Sequence, residues 1–392
     1  MRHRGIKWGE AGRAGCLYAS GLAAKQSSLP LWVQSTIAGG LRSAITLPLT
    51  VGLGPATHFA KSAGAMFANL PFNKRHVKRA EDNLAIAFPE WSAARRRETA
   101  VASYQHLAQL GIELAFTPRL INHDGWSRHV TLGPVTTGFQ KMLSGGPCVL
   151  VTGHCGNWEL VGYTVSMVGF PMQAVYRPLD LKPLDNWVRE SREKRGLTLV
   201  SKFGAIRALP EGMKRGVPAG LVADQNGGDY GVFVPYFGRL TSTYKSIGIL
   251  AMQFNATVMC GIARRLEPGE EPPQGNVMSI QNGGMRYSIE MTDVFGPEDW
   301  ENQPDRLYYI TARYRRSIET MVRRSPKQYL WMHRIWRSRP PHERKDKEFP
   351  AALRAKMEAL PWMTQAEIDA VVHRSELDRA MIREKADHGF RV

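Results

Sequence analysis

From about residue 147 onward the chain alternates short apolar runs with amphipathic stretches, and this alternation limits the possible folds more than any other feature. The runs are CVLVTG (148–153), MQAVY (172–176), LTLVS (197–201), PAGLVAD (218–224) and ATVMCGIAR (256–264). Between them, residues 157–168, 182–195, 203–214 and 244–254 carry helix-like patterns. Uninterrupted apolar runs bounded by Gly and Pro suit strands buried on both faces, and a helix between two such strands makes them parallel. The fold class is therefore α/β, with a mainly parallel central sheet flanked by helices. Residues 285–292 are expected to add an edge strand. No internal repeat is visible.

Upstream, KRHVKRAEDNLAIAFPE reads as a basic amphipathic helix ending at Pro89. Ser92 reads as the N-cap of a second helix extending to about residue 118. Residues 301–331 read as a long basic helix broken at Pro326. The N-terminus is basic, with Arg2, Arg4, Lys7, Arg13 and Lys25 against Glu10, and an apolar segment follows from Leu29 to Ala60. Arg42, Pro48, Gly52, Gly54 and Pro55 interrupt that segment. It reads first as a helical segment lying on a membrane, because basic residues before an apolar stretch suit anionic headgroups. One spanning helix and ordinary core are the other readings. After Pro340-Pro341 the composition turns charged and helix-prone. Three regions follow: a membrane-associating segment (1–70), a central α/β domain (71–341) and a charged helical extension (342–392), read as an appendage.

Composition excludes several classes. Hydrophobic residues make up 43% and charged residues 22% of the 392, so the chain is not disordered as a whole. A mean hydropathy of −0.30 excludes a polytopic membrane protein. The net charge of +17 points to an anionic partner: nucleic acid, an acidic membrane surface, or an acidic substrate or carrier. The Arg residues are dispersed, with no zinc finger or RNP-like segment, so nucleic acid is not expected. No P-loop or Gly-x-Gly-x-x-Gly turn supports nucleotide chemistry. Cys16, Cys148, Cys155 and Cys260 include no Cys-x-x-Cys pair, and a reducing compartment is the simpler expectation.

The segment VLVTGHCGNWELVG (149–162) carries the most chemistry. Its strand ends at Thr152, a Gly-bracketed turn holds His154, and a helix starts near Asn157 or Trp158. Five positions along one helix or one strand would send His154 and Glu159 apart. A strand–turn–helix junction, permitted by Gly153 and Gly156, can bring them together. Glu159 would then fix the imidazole tautomer, and the other ring nitrogen would act as general base toward a hydroxyl. The alternative is a structural His in a turn and a Glu favoured by the helix N-terminus. Cys155 offers a nucleophilic Cys–His pair, although neighbours in a turn rarely face each other. No His-Glu-x-x-His motif occurs and no metal is expected.

GHCGNWEL resembles the His-x4-Asp/Glu block of the late acyltransferases of lipid A biosynthesis, within the wider lysophospholipid and glycerolipid acyltransferase group. Further blocks follow in the family's order. EDNLAIAFPEWSAARRRE (81–98) resembles its Asn-Leu-x-x-x-Phe-Pro segment. AVYRPLDLKPLDNWVRESREKRGLTLV (174–200) resembles its Tyr-Arg-Pro region. LVADQNGGDYGVFVPYFGRLTSTYKS (221–246) resembles its Asp-Gln block, and QYLWMHRIWRSRP (328–340) its closing Trp-x-His segment.

The resemblance implies a transferase that moves a fatty acyl group from an acyl thioester to a lipid hydroxyl without a cofactor. The donor would be acyl carrier protein or acyl-CoA, and the acceptor an anionic lipid, at the cytoplasmic face of the inner membrane. His154 would be the base and Glu159 its orienting partner. Asn157 and Trp158 would contact substrate. Arg177 would face the developing oxyanion or a phosphate. Asp224, at another strand end, would position substrate, hold Arg177 or cap a turn, with Gln225 as a weaker companion. His333, Arg334, Arg337 and Arg339 would bind headgroup or carrier protein, or form a solvated basic face. Three departures stand out: a broken N-terminal segment, Asn226 where an acidic residue is common, and the extension after residue 341. Acceptors other than lipid A, and an inert lipid-binding scaffold, are the rival readings.

Overall fold

The computed structural model describes residues 29–193, 196–267, 269–271 and 285–387. The basic stretch before residue 29, with Cys16, lies outside the described residues, as does the end of the extension after residue 387.

The strands are β1 (Val130–Leu132), β2 (Cys148–Thr152), β3 (Met172–Tyr176), β4 (Leu197–Ser201), β5 (Ala219–Val222), β6 (Val232–Tyr236), β7 (Arg239–Thr243), β8 (Thr257–Arg265) and β9 (Tyr287–Phe295). A seven-stranded sheet runs in the order β1-β9-β8-β2-β5-β3-β4. All neighbours are parallel except β8 and β9. The expected α/β architecture with a mostly parallel sheet and flanking helices is therefore present. β2 is the central strand, and every residue of it is buried, which is why it reads as an unbroken apolar run. The expected edge strand is β9, but it lies inside the sheet between β1 and β8. The three-residue β1 holds the edge in its place and was too short to read.

β6 and β7 form a separate antiparallel hairpin. Its turn, Phe237-Gly238, has φ of 50° and 67°, the double positive φ of a type I′ turn. Phe237 adopts this strained conformation with its backbone N–H donating to Glu319 at 2.7 Å.

Helices Leu31–Thr46 and Leu53–Asn69 precede helix Lys74–Ala87 and the long helix Ala93–Leu120, which Ser92 caps by accepting from Arg95 N. Gly64 lets Leu53–Asn69 pass close to the long helix, since a Cβ there would lie 2.6 Å from the Tyr104 carbonyl oxygen. Among the described residues no helix is long and apolar enough to cross a membrane. Leu31, Trp32, Leu47, Val51, Phe59 and Met66 of this region are nevertheless exposed.

The segment after residue 341 packs onto the body. Its helices Pro341–Arg344, Ala351–Glu358 and Gln365–Asp387 bury Met357, Leu360, Ile368 and Val371 in the same cluster as Val149 and Val258 of the sheet. Polar contacts reinforce it. Arg339 donates to Glu343 at 2.7 and 2.9 Å, to Asp378 at 2.8 Å and to the Leu240 carbonyl of β7 at 2.7 Å. Arg239 makes a bidentate pair with Asp378 at 2.6 and 2.9 Å. Arg339, a candidate headgroup contact, is thus buried and fully engaged inside the fold.

Candidate active site

The register of the sheet builds the site. Thr152 of β2 pairs with Val222 of β5. His154 and Asp224 each lie two residues further on, at the carboxyl edge of neighbouring parallel strands, where α/β folds place their ligands. His154 Nδ1 and Asp224 Oδ1 are 2.7 Å apart. An ionised carboxylate only accepts, so the Nδ1–H donates and Nε2 is left as a free acceptor.

Asp224 is 0% exposed. Burial opposes its ionisation, but the charge and hydrogen bond of His154, with His333 and Arg315, hold its carboxyl well below the usual range. Burial also opposes the imidazolium of His154, yet the charge and hydrogen bond of Asp224, joined by the charge of Glu159, raise its pKa above 6.5. Trp158 and His333 wall the imidazole, with ring centroids 4.9 and 5.0 Å away in edge-to-face geometry.

The expected partner of His154 was Glu159. Glu159 acts on His154 through its charge, but its Oε1 accepts from Arg192 Nη2 at 2.5 Å. Its carboxylate is tied to Arg192 of helix Lys182–Glu193, while the Nδ1 of His154 is taken by Asp224. Arg192 was missed, because in sequence it is one cation among several in a charged helix. Asp224, which the sequence marks as a strand-end residue, pairs with His154 and does not hold Arg177. Arg177 is 69% exposed on its side chain and lies 3.9 Å from Asp180.

Asn157 is engaged within the protein. It is 4% exposed, caps its helix by accepting from Leu160 N at 3.0 Å, and donates to Glu113 at 3.4 Å. Cys155 turns into the core, where its Sγ lies 3.7 Å from the Met321 carbonyl and burial pushes its thiol far up. That rules out the Cys–His alternative. His333 stands beside His154 with its Nδ1 buried and unpartnered, whereas Arg334 is exposed.

A cavity of about 1050 Å³ opens beside the pair. Its lining includes His154, Trp158, Glu159, Arg177, Gln225 and Tyr244 together with the apolar Phe139, Leu150, Met172, Leu199, Met259 and Met291. A larger cleft of about 1230 Å³, lined by His58, Lys61, Gln105 and Arg286 among others, contains neither His154 nor Asp224. His154, Asp224 and His333 also form a cluster with ligand atoms within 4.8 Å, but a metal there would compete with the short hydrogen bond that joins the first two.

The ordered sequence blocks meet around this turn. Leu330 N donates to the His154 carbonyl at 3.1 Å and Gly156 N to that of Gln328 at 3.0 Å. Asn83, from EDNLAIAFPE, donates to the carbonyls of Trp331 at 2.7 Å and His333 at 2.8 Å. Asn226 donates to Ser338 Oγ at 3.1 Å and accepts from Ser338 N at 3.3 Å. Gly156 has φ +62°, and a Cβ there would lie 2.2 Å from the Ala263 carbonyl oxygen. Gly156→Ala is expected to destabilise the protein by about 1–3 kcal/mol from backbone strain alone. Urea unfolding alongside an activity assay checks this, and unchanged values in both would contradict it.

An α/β sheet with a histidine–carboxylate pair at its carboxyl edge, open to an apolar cavity, is suited to group transfer on an apolar substrate. Comparison with known proteins agrees. Residues 25–338 match the bacterial lipid A biosynthesis acyltransferase family. The chain belongs to that family and is an acyltransferase. It is 25% identical over 280 residues to the lipid A biosynthesis lauroyltransferase of Escherichia coli K12, covering 69% of this chain and 82% of that one. The palmitoleoyltransferase of the same organism is 25% identical over 275 residues, covering 69% and 81%. A lipid A biosynthesis acyltransferase of Haemophilus influenzae is 22% identical over 271 residues, covering 68% and 77%.

Proposed function

We propose that the protein transfers a fatty acyl group from an acyl thioester, carried by acyl carrier protein, to a hydroxyl of a lipid A precursor at the cytoplasmic face of the inner membrane. The observation that carries this reading is the 2.7 Å His154–Asp224 hydrogen bond beside an apolar cavity. His154 Nε2 takes the proton of the acceptor hydroxyl as its oxygen attacks the thioester carbonyl. The tetrahedral intermediate collapses, the C–S bond breaks, and the imidazolium returns the proton to the leaving thiolate. Asp224 fixes the tautomer and stabilises the imidazolium. Glu159 adds negative charge, and Arg192 and Arg177 offer positive charge for an oxyanion or a phosphate. The acyl chain fits the apolar interior, where each buried CH₂ contributes about 0.8 kcal/mol.

The net charge of +17 suits an acidic carrier protein, a phosphorylated acceptor and an anionic membrane. The exposed side chains of Trp32 and Phe59 suit insertion at the membrane interface. Replacing both with Glu is expected to lower co-sedimentation with anionic vesicles at least tenfold; unchanged binding would move the docking surface elsewhere.

The reading is tested by mass spectrometry of total lipids from host cells carrying the wild-type gene or its His154→Ala version. A lipid heavier by one acyl group is expected with the wild type only. The same product from the variant would remove His154 as the base, and no product in a host that makes lipid A would overturn the acceptor.

A further inference from the structure

Behind Asp224 the fold buries a cation that, among the described residues, meets no carboxylate at ion-pair distance. Arg315, on helix Arg306–Arg324, is 0% exposed. Its Nη1 donates to the Ala223 carbonyl at 3.2 Å, and its guanidinium carbon lies 3.8 Å from the centroid of the Tyr236 ring. Its Nε and Nη2 are buried without hydrogen-bond partners. Other deeply placed arginines differ. Arg265 is paired with Glu113, and Arg339 with Glu343 and Asp378. Among the described residues no carboxylate lies within ion-pair distance of Arg315. An unpaired buried charge is costly, so its placement calls for an electrostatic partner beyond direct contact.

Asp224 is that partner. It follows Ala223 directly, so Arg315 grips the peptide that carries it. The carboxylate is fully buried, with Oδ1 bonded to His154 and Oδ2 unpartnered. When His154 is neutral and ready to act as a base, Asp224 is a buried anion supported by one neutral donor. His333 also acts on Asp224, and the charge of Asp224 in turn is felt by Cys155, Tyr236, Tyr244 and Tyr329. Burial pushes His333 down and the thiol and phenols up, so all of these are neutral near pH 7. Arg315 adds a guanidinium charge that favours the Asp224 carboxylate whatever the state of His154.

We propose that Arg315 is a positioning residue for acyl transfer: its buried guanidinium holds the Ala223–Asp224 strand end and supplies the fixed charge that keeps Asp224 ionised while His154 is neutral. This rests on the reading of His154 as the base. Without that charge a proton can settle on Asp224, which then donates to Nδ1. The imidazole proton moves to Nε2, and Nε2 can no longer accept from the hydroxyl. Arg315 does not line the cavity, so the loss falls on kcat and leaves KM in place.

The test uses the full chain with lauroyl-acyl carrier protein and a lipid A precursor, together with ¹⁵N-histidine NMR of the same samples. Arg315→Gln keeps a donor for the Ala223 carbonyl and removes the charge. It is expected to lower kcat about 100-fold, the lower end of what a general base contributes, with KM within twofold. Arg315→Lys keeps the charge and is expected to stay within fivefold of wild type. The His154 resonance, identified by its loss in His154→Ala, should show a protonated Nδ1 in wild type and Arg315→Lys, and gain Nε2–H character in Arg315→Gln. A wild-type kcat and tautomer in Arg315→Gln overturns the proposal, as does an equal loss in Arg315→Lys. If Arg315→Gln does not fold, Arg315→Lys decides alone: near-wild-type kcat and tautomer uphold the proposal, and loss of either overturns it. An active His154→Ala would instead remove the base assignment, while the tautomer readout still reports on Arg315.

Discussion

Asp224→Asn is expected to lower kcat/KM by about 10⁴-fold, the loss seen when the orienting carboxylate of a histidine base becomes an amide and selects the wrong tautomer. The geometry makes this the most damaging neutral replacement near His154. An asparagine at this position can present its NH₂ to Nδ1, and the ring then carries its proton on Nε2, where the acceptor hydroxyl must approach. The residual activity has a signature in pH. Asp224 is the main group raising the His154 pKa, so the acid limb of kcat/KM lies above about 6.5 in the wild type. Removing the anion moves the limb of the variant to lower pH. A limb unchanged by Asp224→Asn would refute the pairing. Glu159→Gln leaves the Nδ1–Asp224 bond in place and releases Arg192, so it is expected to leave the tautomer unchanged. Stability follows the same pair through proton linkage. The raised His154 contributes fully below its unfolded value of about 6.5, and this fades as pH rises through its folded value. The depressed Asp224 contributes above its unfolded value of about 3.9 and loses that as pH falls through its folded value.

The parallel strands were legible because burial on both faces leaves no polar alternation; CVLVT is the clearest case. The hairpin β6–β7 was not. Pro235 argues against a strand, and Phe237-Gly238 lacks the usual Asn-Gly or Asp-Gly turn signal. His154 stood out through its glycine-flanked turn. Its hydrogen-bond partner did not, because Asp224 is 70 positions away and only the β2–β5 register brings the two together. Local spacing only allowed Glu159, which the resemblance named as the partner; its carboxylate instead meets a helix that the spacing does not position. The extension reads as an appendage because its buried face includes Ser375 and Asp378, which hydrogen-bond to Glu343 and to the arginines of the body. Polar burial of this kind has no apolar periodicity to announce it.

The second large effect lies beneath the turn. Glu113 is 0% exposed and accepts from Arg265 at 2.5 and 2.9 Å, from Tyr287 Oη at 2.6 Å and from Asn157 at 3.4 Å. Arg265 also ties into the closing block, since Gln328 accepts from its backbone N–H at 2.9 Å and donates to its carbonyl at 2.8 Å. One buried ion pair therefore underlies the helix cap at Asn157 and the segment that clasps His154. Arg265→Met leaves a buried carboxylate without its counter-charge, and the expected destabilisation is about 3–5 kcal/mol in urea unfolding. Glu113→Leu alone strands the guanidinium and should cost about as much. The double variant removes both charges, and replacing a buried pair by apolar residues is often close to neutral, so it should recover most of the loss. Additive losses in the double variant would show that the two side chains act separately. Activity should not recover with stability. The double variant still lacks the carboxylate that fixes Asn157 and, through it, the start of helix Trp158–Met167, so a stable fold with a misplaced His154 is the expected outcome.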